Sequence, residues 1–246
     1  MKRVYRTVVA EPAPGGHTVA LDGKPMRTPG KRGLVVPTTA LAAAIAAEWD
    51  AQHPDIRPET MPLTRLAATA LDRTATLRDQ VIRETANYAG TDLVCYRADH
   101  PPALAARQHE AWQPLIDWAA GRFDAALEIT TGIVPKPQRP PALAAFARAV
   151  AAHDDFRLTA LHTATAACGS LIIALALMEG RVDADAAFAV SQIDETFQIE
   201  AWGEDEEAMR RREALAADII ATARFLELFG LESLDDLPHS QEVEKR

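Results

Sequence analysis

A single change of hydrophobic period governs what this chain can fold into. Up to position 36 the sequence comes in short strand-like runs, at 4–10, 17–21, 24–27 and 33–36, the first of them rich in β-branched residues. Breakers lie between them: the Pro/Gly-rich 11–16 stretch, the two-residue hairpin signal Asp22-Gly23, and Thr28-Pro29-Gly30. Proline cannot donate to a sheet ladder and glycine leaves nothing to pack, so both end strands. The N-terminal stretch therefore reads as a small antiparallel sheet. From Pro37-Thr38-Thr39 the apolar spacing lengthens to that of a helix. Thr38 or Thr39 can cap a first helix carrying Leu41, Ile45 and Trp49 on successive turns. Pro54, Pro58 and Pro62 then fix an extended link. Helices are expected at 63–69, 73–88, about 104–122, 141–152, 159–178, 184–202 and 205–228, with breaks at Gly121, 135–141, Gly180 and Gly230. The expected class is α+β. A small N-terminal α/β domain at 1–68 carries the antiparallel sheet and one helix, and a larger all-α orthogonal helical bundle fills 69–238. The polar residues 239–246 read as a disordered tail.

The helix expected at 159–178 is apolar on most sides, through Leu161, Ala164, Ala167, Leu171, Ala174, Leu175 and Met178. Such a helix belongs in the middle of a bundle, and its His162 and Thr165 need hydrogen-bond partners if buried. Small residues at 166, 167, 169 and 170 let neighbouring helices come close.

Charge narrows the function. The chain of 246 residues carries a formal charge of −9, which argues against non-specific nucleic-acid binding. Positions 1–36 are net basic, with Lys2, Arg3, Arg6, Lys24, Arg27, Lys31 and Arg32 against Glu11 and Asp22. An RNA contact there has only Tyr5 to stack on a base. Cys95 and Cys168 lie far apart in no metal-ligand spacing and read as free buried thiols. No apolar stretch follows the Met-Lys-Arg start, and the longest apolar run, 171–178, is too short to span a bilayer. A soluble, intracellular protein is expected, without membrane insertion. No Gly-x-Gly-x-x-Gly, phosphate loop or His-Glu-x-x-His occurs, and the histidines form no metal pair. Neither a cofactor, a metal nor a catalytic residue is expected. Acid–base chemistry by Glu195 with Glu206 or Glu207, as in a hydrolase or isomerase, stays as the alternative.

The segment 191–212 stands apart. Between positions 194 and 207 it holds seven acidic residues and no basic one, and Arg210, Arg211 and Arg212 follow. On a helix, Glu195, Gln198 and Trp202 share one stripe, a polar surface with an aromatic anchor suited to gripping another protein. From composition alone the residues fit better a solvated amphipathic helix with Ile193, Phe197 and Ala201 turned to the core.

Taken in order, the motifs resemble a known family. They include Leu21-Asp22-Gly23-Lys24-Pro25, Thr28-Pro29, Val36-Pro37, Leu41-Ala42 and Glu48-Trp49-Asp50-Ala51-Gln52. Further on come Ile56-x-Pro58, Met61-Pro62-Leu63-Thr64, Thr69-Ala70-x-Asp72 and Tyr88-x-x-Thr91-Asp92-Leu93. Gly169-Ser170-Leu171 and Glu195-x-x-Gln198-x-x-x-Trp202-Gly203 complete the order. Each motif is weak alone, and the ordered set covers roughly residues 2–230. It resembles the Atp-twelve family of chaperones, which assemble the F(1) head of ATP synthase by guarding its alpha subunit. The resemblance implies no catalysis. It implies a protein, monomeric when free, that binds the free alpha subunit, keeps it from aggregating and yields it as the alpha-beta hexamer forms. The family's important acidic position before the Gln-x-x-x-Trp-Gly element falls here on Glu195 or Asp194. With Gln198 and Trp202 these are the expected partner-binding residues. Trp49 matches the family's other important tryptophan and reads as a structural anchor, since a large aromatic on an amphipathic helix packs inside. Glu204, Asp205, Glu206 and Glu207 depart from the aromatic-containing sequence of eukaryotic members. The start without a presequence implies a bacterial member acting in the cytoplasm.

Overall fold

The computed structural model describes residues 2–132 and 134–230; the tail expected at 239–246 lies outside the described residues. The sheet forms as its breakers dictate. Strands β1 (Val8–Ala13) and β2 (Gly16–Leu21) make an antiparallel hairpin whose register runs from Val8↔Leu21 to Ala13↔Gly16. The short strands β3 (Lys24–Pro25) and β4 (Val35–Val36) both pair antiparallel with β2, along its other edge. Asp22 and Gly23 turn the chain between β2 and β3 with φ of 48° and 74°, as a primed hairpin turn requires. The strand expected at 4–10 begins only at Val8. The N–H groups of Arg6 and Thr7 donate to the Asp22 carboxylate at 2.9 and 2.8 Å, which ends the ladder and holds that carboxyl below its ordinary range.

Helix α1 (Thr39–Asp50) is capped by Thr38, whose Oγ1 accepts from the Leu41 N–H at 3.2 Å. It lays Leu41, Ala42 and Ile45 against Val19, Leu34 and Val36 of the sheet. Next come α2 (Pro62–Thr69), a π-type turn at Ala70–Thr74, α3 (Arg78–Ala86), and 3-10 turns at Asn87–Gly90 and Leu93–Cys95. The single helix expected at 73–88 is thus three pieces. Strand β5 (Tyr96–Arg97) pairs in parallel with β6 (Thr130–Thr131), a two-residue ladder too short to leave a periodic signal. The remaining helices are α4 (Pro102–Phe123), α5 (Pro140–Ala151), α6 (Asp155–Cys168), α7 (Leu171–Met178), α8 (Ala184–Ser191), α9 (Ile193–Trp202) and α10 (Glu206–Phe229).

Two of the expected long helices are bent into pairs. The 159–178 run breaks at Gly169, which adopts a left-handed φ of 65°, and Ser170 then caps α7 by accepting from the Ile173 N–H at 3.0 Å. The 184–202 run breaks at Gln192 (φ −115°, ψ 23°), which separates α8 from α9. All eight residues of α7 are buried, so the apolar spine exists in two segments. His162 Nδ1 finds Thr85 Oγ1 at 3.0 Å, whereas Thr165 Oγ1 has no partner among the described residues.

One hydrophobic core runs without interruption from Val19 and Leu34 in the sheet, through Leu41 and Ile45, to Leu161, Leu175 and Phe225 in the helices. Helix α10 returns to the sheet side, where Thr38 Oγ1 donates to the Leu228 carbonyl at 2.7 Å. Tyr5, Ile56 and Met61 form a small second cluster on which the half-buried Trp49 packs, with the Tyr5 and Trp49 rings 5.9 Å apart. The Tyr5 hydroxyl donates to the Trp49 carbonyl at 2.7 Å.

Candidate functional site

Many polar residues of the sequence motifs are spent inside the fold. Glu48 of α1 reaches the start of α2, accepting from the N–H groups of Leu63 and Thr64 and from the Thr64 hydroxyl at 2.7, 2.8 and 2.7 Å. Burial raises its carboxyl above the ordinary range, against the pull of those hydrogen bonds. Gln52 accepts from the Arg57 N–H at 2.7 Å and so holds the proline link. Asp72 clamps the loop before β4 by accepting from Thr28 Oγ1 and the Gly30 N–H, both at 2.7 Å. A Cβ at Gly30 would stand 2.5 Å from an Asp72 oxygen, which explains the glycine. Asp92 is fully buried; its two oxygens accept from the N–H groups of Val94 and Ile172 at 3.2 and 3.1 Å. These carboxylates and amides staple one element to the next.

A groove of about 620 Å³ opens in the helical part between α9 and α10. The two bends create it. Gly169 ends α6 and exposes a floor of small residues, Ala166 and Ala167 among them, while the turn at Gln192 swings α9 out along one wall. Helix α10 supplies the other wall through Glu207, Ala208, Arg211 and Leu215. Helix α9 has no fully buried residue, and Trp202 at its end is 81% exposed beside Gly203 (φ 88°). A large exposed aromatic on a groove rim has no role in the core, which is why it marks the site.

Glu195, Gln198 and Trp202 all line this groove, since positions i, i+3 and i+7 share a helix face. Asp194 does not. One residue back along the helix, its carboxylate turns to α4 and accepts from Gln108 Nε2 at 2.6 Å, while Gln108 Oε1 accepts from the Ala98 N–H at 2.6 Å. The same side of α9 packs Ile193 and Phe197 half-buried, with the Arg107 guanidinium 5.3 Å from the Phe197 ring centre; Ala201, placed on the core side by the period, is exposed because α9 has by then left the body of the protein. Glu200 pairs with Arg107 at 2.7 Å and Glu206 with Arg210 at 2.6 Å, and Asp205 caps α10 by accepting from the Ala208 N–H at 2.8 Å. A carboxylate pair of Glu195 and Glu206 therefore has no shared buried setting: Glu206 is exposed and occupied by Arg210. Among the described residues no cluster of His, Cys, Asp and Glu could hold a metal ion, and both cysteines are buried, their thiols pushed up to about 12 by burial. Sequence reading missed the groove floor and the α10 wall. The run of small residues at 166–170 was the one local sign of it.

The fold and the groove define a class: an α+β protein of one small four-stranded sheet, a two-stranded ladder and ten α-helices among the described residues, with a wide open cleft of mixed polarity. The sequence model of the ATP12 chaperone protein family matches residues 2–120. The crystal structure of Paracoccus denitrificans Atp12 and a solved structure of its aspartate-to-lysine mutant each share 47% identity with this chain. Each covers 92% of it and 97% of its own length, with a TM-score of 0.88. The Atu1473 protein of Agrobacterium tumefaciens is 41% identical, with 93% and 86% covered and a TM-score of 0.88. Protein atp12, mitochondrial, of Schizosaccharomyces pombe is 21% identical over 84% of this chain and 75% of its own. The chain belongs to the ATP12 family of chaperones, which serve ATP synthase assembly. Among the described residues no helix is long and apolar enough to cross a membrane.

Proposed function

We propose that this protein binds the free alpha subunit of the F(1) sector of ATP synthase, keeps it from aggregating, and releases it as the alpha-beta hexamer forms. The free chaperone acts as a monomer in the bacterial cytoplasm, without catalysis. Membership of the ATP12 family supports this reading. The observation that carries it is the convergence of Glu195, Gln198 and the exposed Trp202 on one groove. An unassembled subunit exposes interface meant for its neighbours, and such surface associates non-specifically. Covering it needs no nucleotide hydrolysis, provided the proper neighbour binds more tightly than the chaperone. Glu195, Gln198 and Trp202 are the contact residues of this proposal; Asp194 orients α9 on α4, and Trp49 anchors the fold.

The test is light scattering by isolated alpha subunit. Added wild-type protein suppresses the scattering in a dose-dependent way, and Glu195→Lys suppresses it far less while keeping the helical circular-dichroism signal. Absence of suppression at several-fold molar excess of wild type would sink the proposal.

A further inference from the structure

Among the described residues Glu195, Glu207 and Trp202 of the groove, like Gln198 and Arg211, have no side-chain hydrogen bond or ion pair. Glu195 on α9 and Glu207 in the first turn of α10 line the same groove, and neither forms a hydrogen bond or ion pair among the described residues. Trp202 stands on the rim beside them. Of the acids around them Asp194, Glu200, Asp205 and Glu206 are occupied by Gln108, Arg107, the start of α10 and Arg210, while Glu204 lies outside the groove lining. The groove's own arginines do not supply the missing cation. Arg212 is turned to Gln192 Oε1 and Thr196 Oγ1, at 3.3 and 3.1 Å, with its guanidinium over the Phe188 ring; Arg211 forms no ion pair among the described residues.

The lining carries three carboxylates, Glu195, Asp205 and Glu207, against Arg211 and Arg212, and the two acids without a direct partner among the described residues share the groove with an exposed indole, a chemistry that selects cations. Of the two basic side chains, arginine suits it better. Its guanidinium is planar and weakly hydrated, so it can stack on an indole face and fork to a carboxylate in the same pose. A lysine ammonium gives up more hydration for a contact without that fork. The floor at Ala166 and the α10 wall at Leu215 are apolar, and so take a neighbouring aliphatic side chain rather than a second charge.

We infer that the groove between α9 and α10 seats an arginine side chain of the partner between Glu195, Glu207 and Trp202, with an adjacent aliphatic residue between the Ala166 floor and Leu215 of the α10 wall. The inference rests on the reading of this face as the partner-binding site and adds the chemistry of what enters it. Binding of this kind weakens as salt rises, because the carboxylates are open to solvent.

The test uses the full-length protein and blocked pentapeptides, Ac-Ala-Leu-X-Leu-Ala-amide with X as Arg, Lys, Gln or Glu, titrated by calorimetry and tryptophan emission. The arginine peptide binds about tenfold or more tightly than the glutamine peptide, as expected for losing one charge-assisted contact. Lysine falls between them and glutamate last. The double variant Glu195→Gln with Glu207→Gln removes the preference for arginine. Ala166→Phe fills the groove from an exposed position, so the fold tolerates it, and it weakens all four peptides. Equal affinity for the arginine and glutamine peptides overturns the inference, as does an arginine preference that survives in the double variant. The alpha-subunit scattering assay, run with the same proteins, separates the two readings. If the arginine preference holds but wild type does not protect alpha subunit, the chaperone reading fails and the groove chemistry stands. If the double variant protects as well as wild type and shows the same peptide affinities, the groove chemistry fails and the chaperone reading stands.

Discussion

Asp92 and Glu195 lie on opposite sides of the same bend and do opposite things with the same functional group. Leu93, which follows Asp92, donates its N–H to the Gly169 carbonyl at 3.2 Å and lines the groove. Asp92 itself sits behind that floor, fully buried, and ties the 93–95 turn to the start of α7. Glu195 stands in front of the floor, exposed and without a partner among the described residues. A carboxylate taken out of water must have its lone pairs filled by the protein, and Asp92 has them filled by backbone and by Ser170. Even so, burial outweighs those hydrogen bonds and pushes its carboxyl up to about 6. A carboxylate left in water costs the fold nothing, and its charge remains available to a ligand. The back of the groove is thus built for stability and the front for contact.

The comparison can be broken most directly at Asp92. Asp92→Ala strands buried N–H groups at Val94 and at Ile172 and should lower the unfolding free energy by about 3 kcal/mol in urea titration. Asp92→Asn adds a pH signature. The folded carboxyl titrates above the unfolded one, so its contribution is present below the unfolded value and is lost as pH rises through about 6. Stability of wild type relative to Asp92→Asn should therefore grow, on the order of 3 kcal/mol, as pH falls from about 6 to about 4. A difference that stays flat over that window would mean that Asp92 titrates like a solvated acid.

The half-buried staples should show smaller effects. Glu48→Ala removes three hydrogen bonds at the start of α2 and should cost about 2 kcal/mol. Asp72→Ala frees the Thr28 and Gly30 loop and should cost about 1 kcal/mol. Either change leaving the denaturation midpoint untouched would remove that residue from the set of staples. The smallest effect on stability belongs to the front of the groove. Glu195→Lys and Trp202→Ala should leave the midpoint where it is, because neither side chain is used by the fold. Both should still lose most protection of alpha subunit. A midpoint shift as large as that of Glu48→Ala would turn these residues into structural ones and dissolve the contrast.

What was legible in the sequence follows from what period and spacing encode. A repeat of two gave the sheet, and a repeat of three to four gave the helices and, through i, i+3 and i+7, the shared face of Glu195, Gln198 and Trp202. The Asp22-Gly23 signal gave the turn, because few residues adopt positive φ. Local information of this kind is set by neighbours in the chain. The rest depended on residues far apart. Asp92 looks like any acid before a turn until Ile172, eighty positions on, brings its N–H to it. Asp194 and Glu195 are adjacent acids on one helix, and only the placement of Gln108 on α4 decides that the first is occupied and the second free. The groove exists because Gly169 and Gln192 bend two helices that periodicity alone draws straight: the apolar pattern carries through a bend, and it is the packing of the flanking segments that gives the bend its direction. The sequence by itself determined which faces are apolar and which family the chain joins. Tertiary structure alone decided which charges were left without a partner, since pairing depends on distances between segments that no local spacing contains.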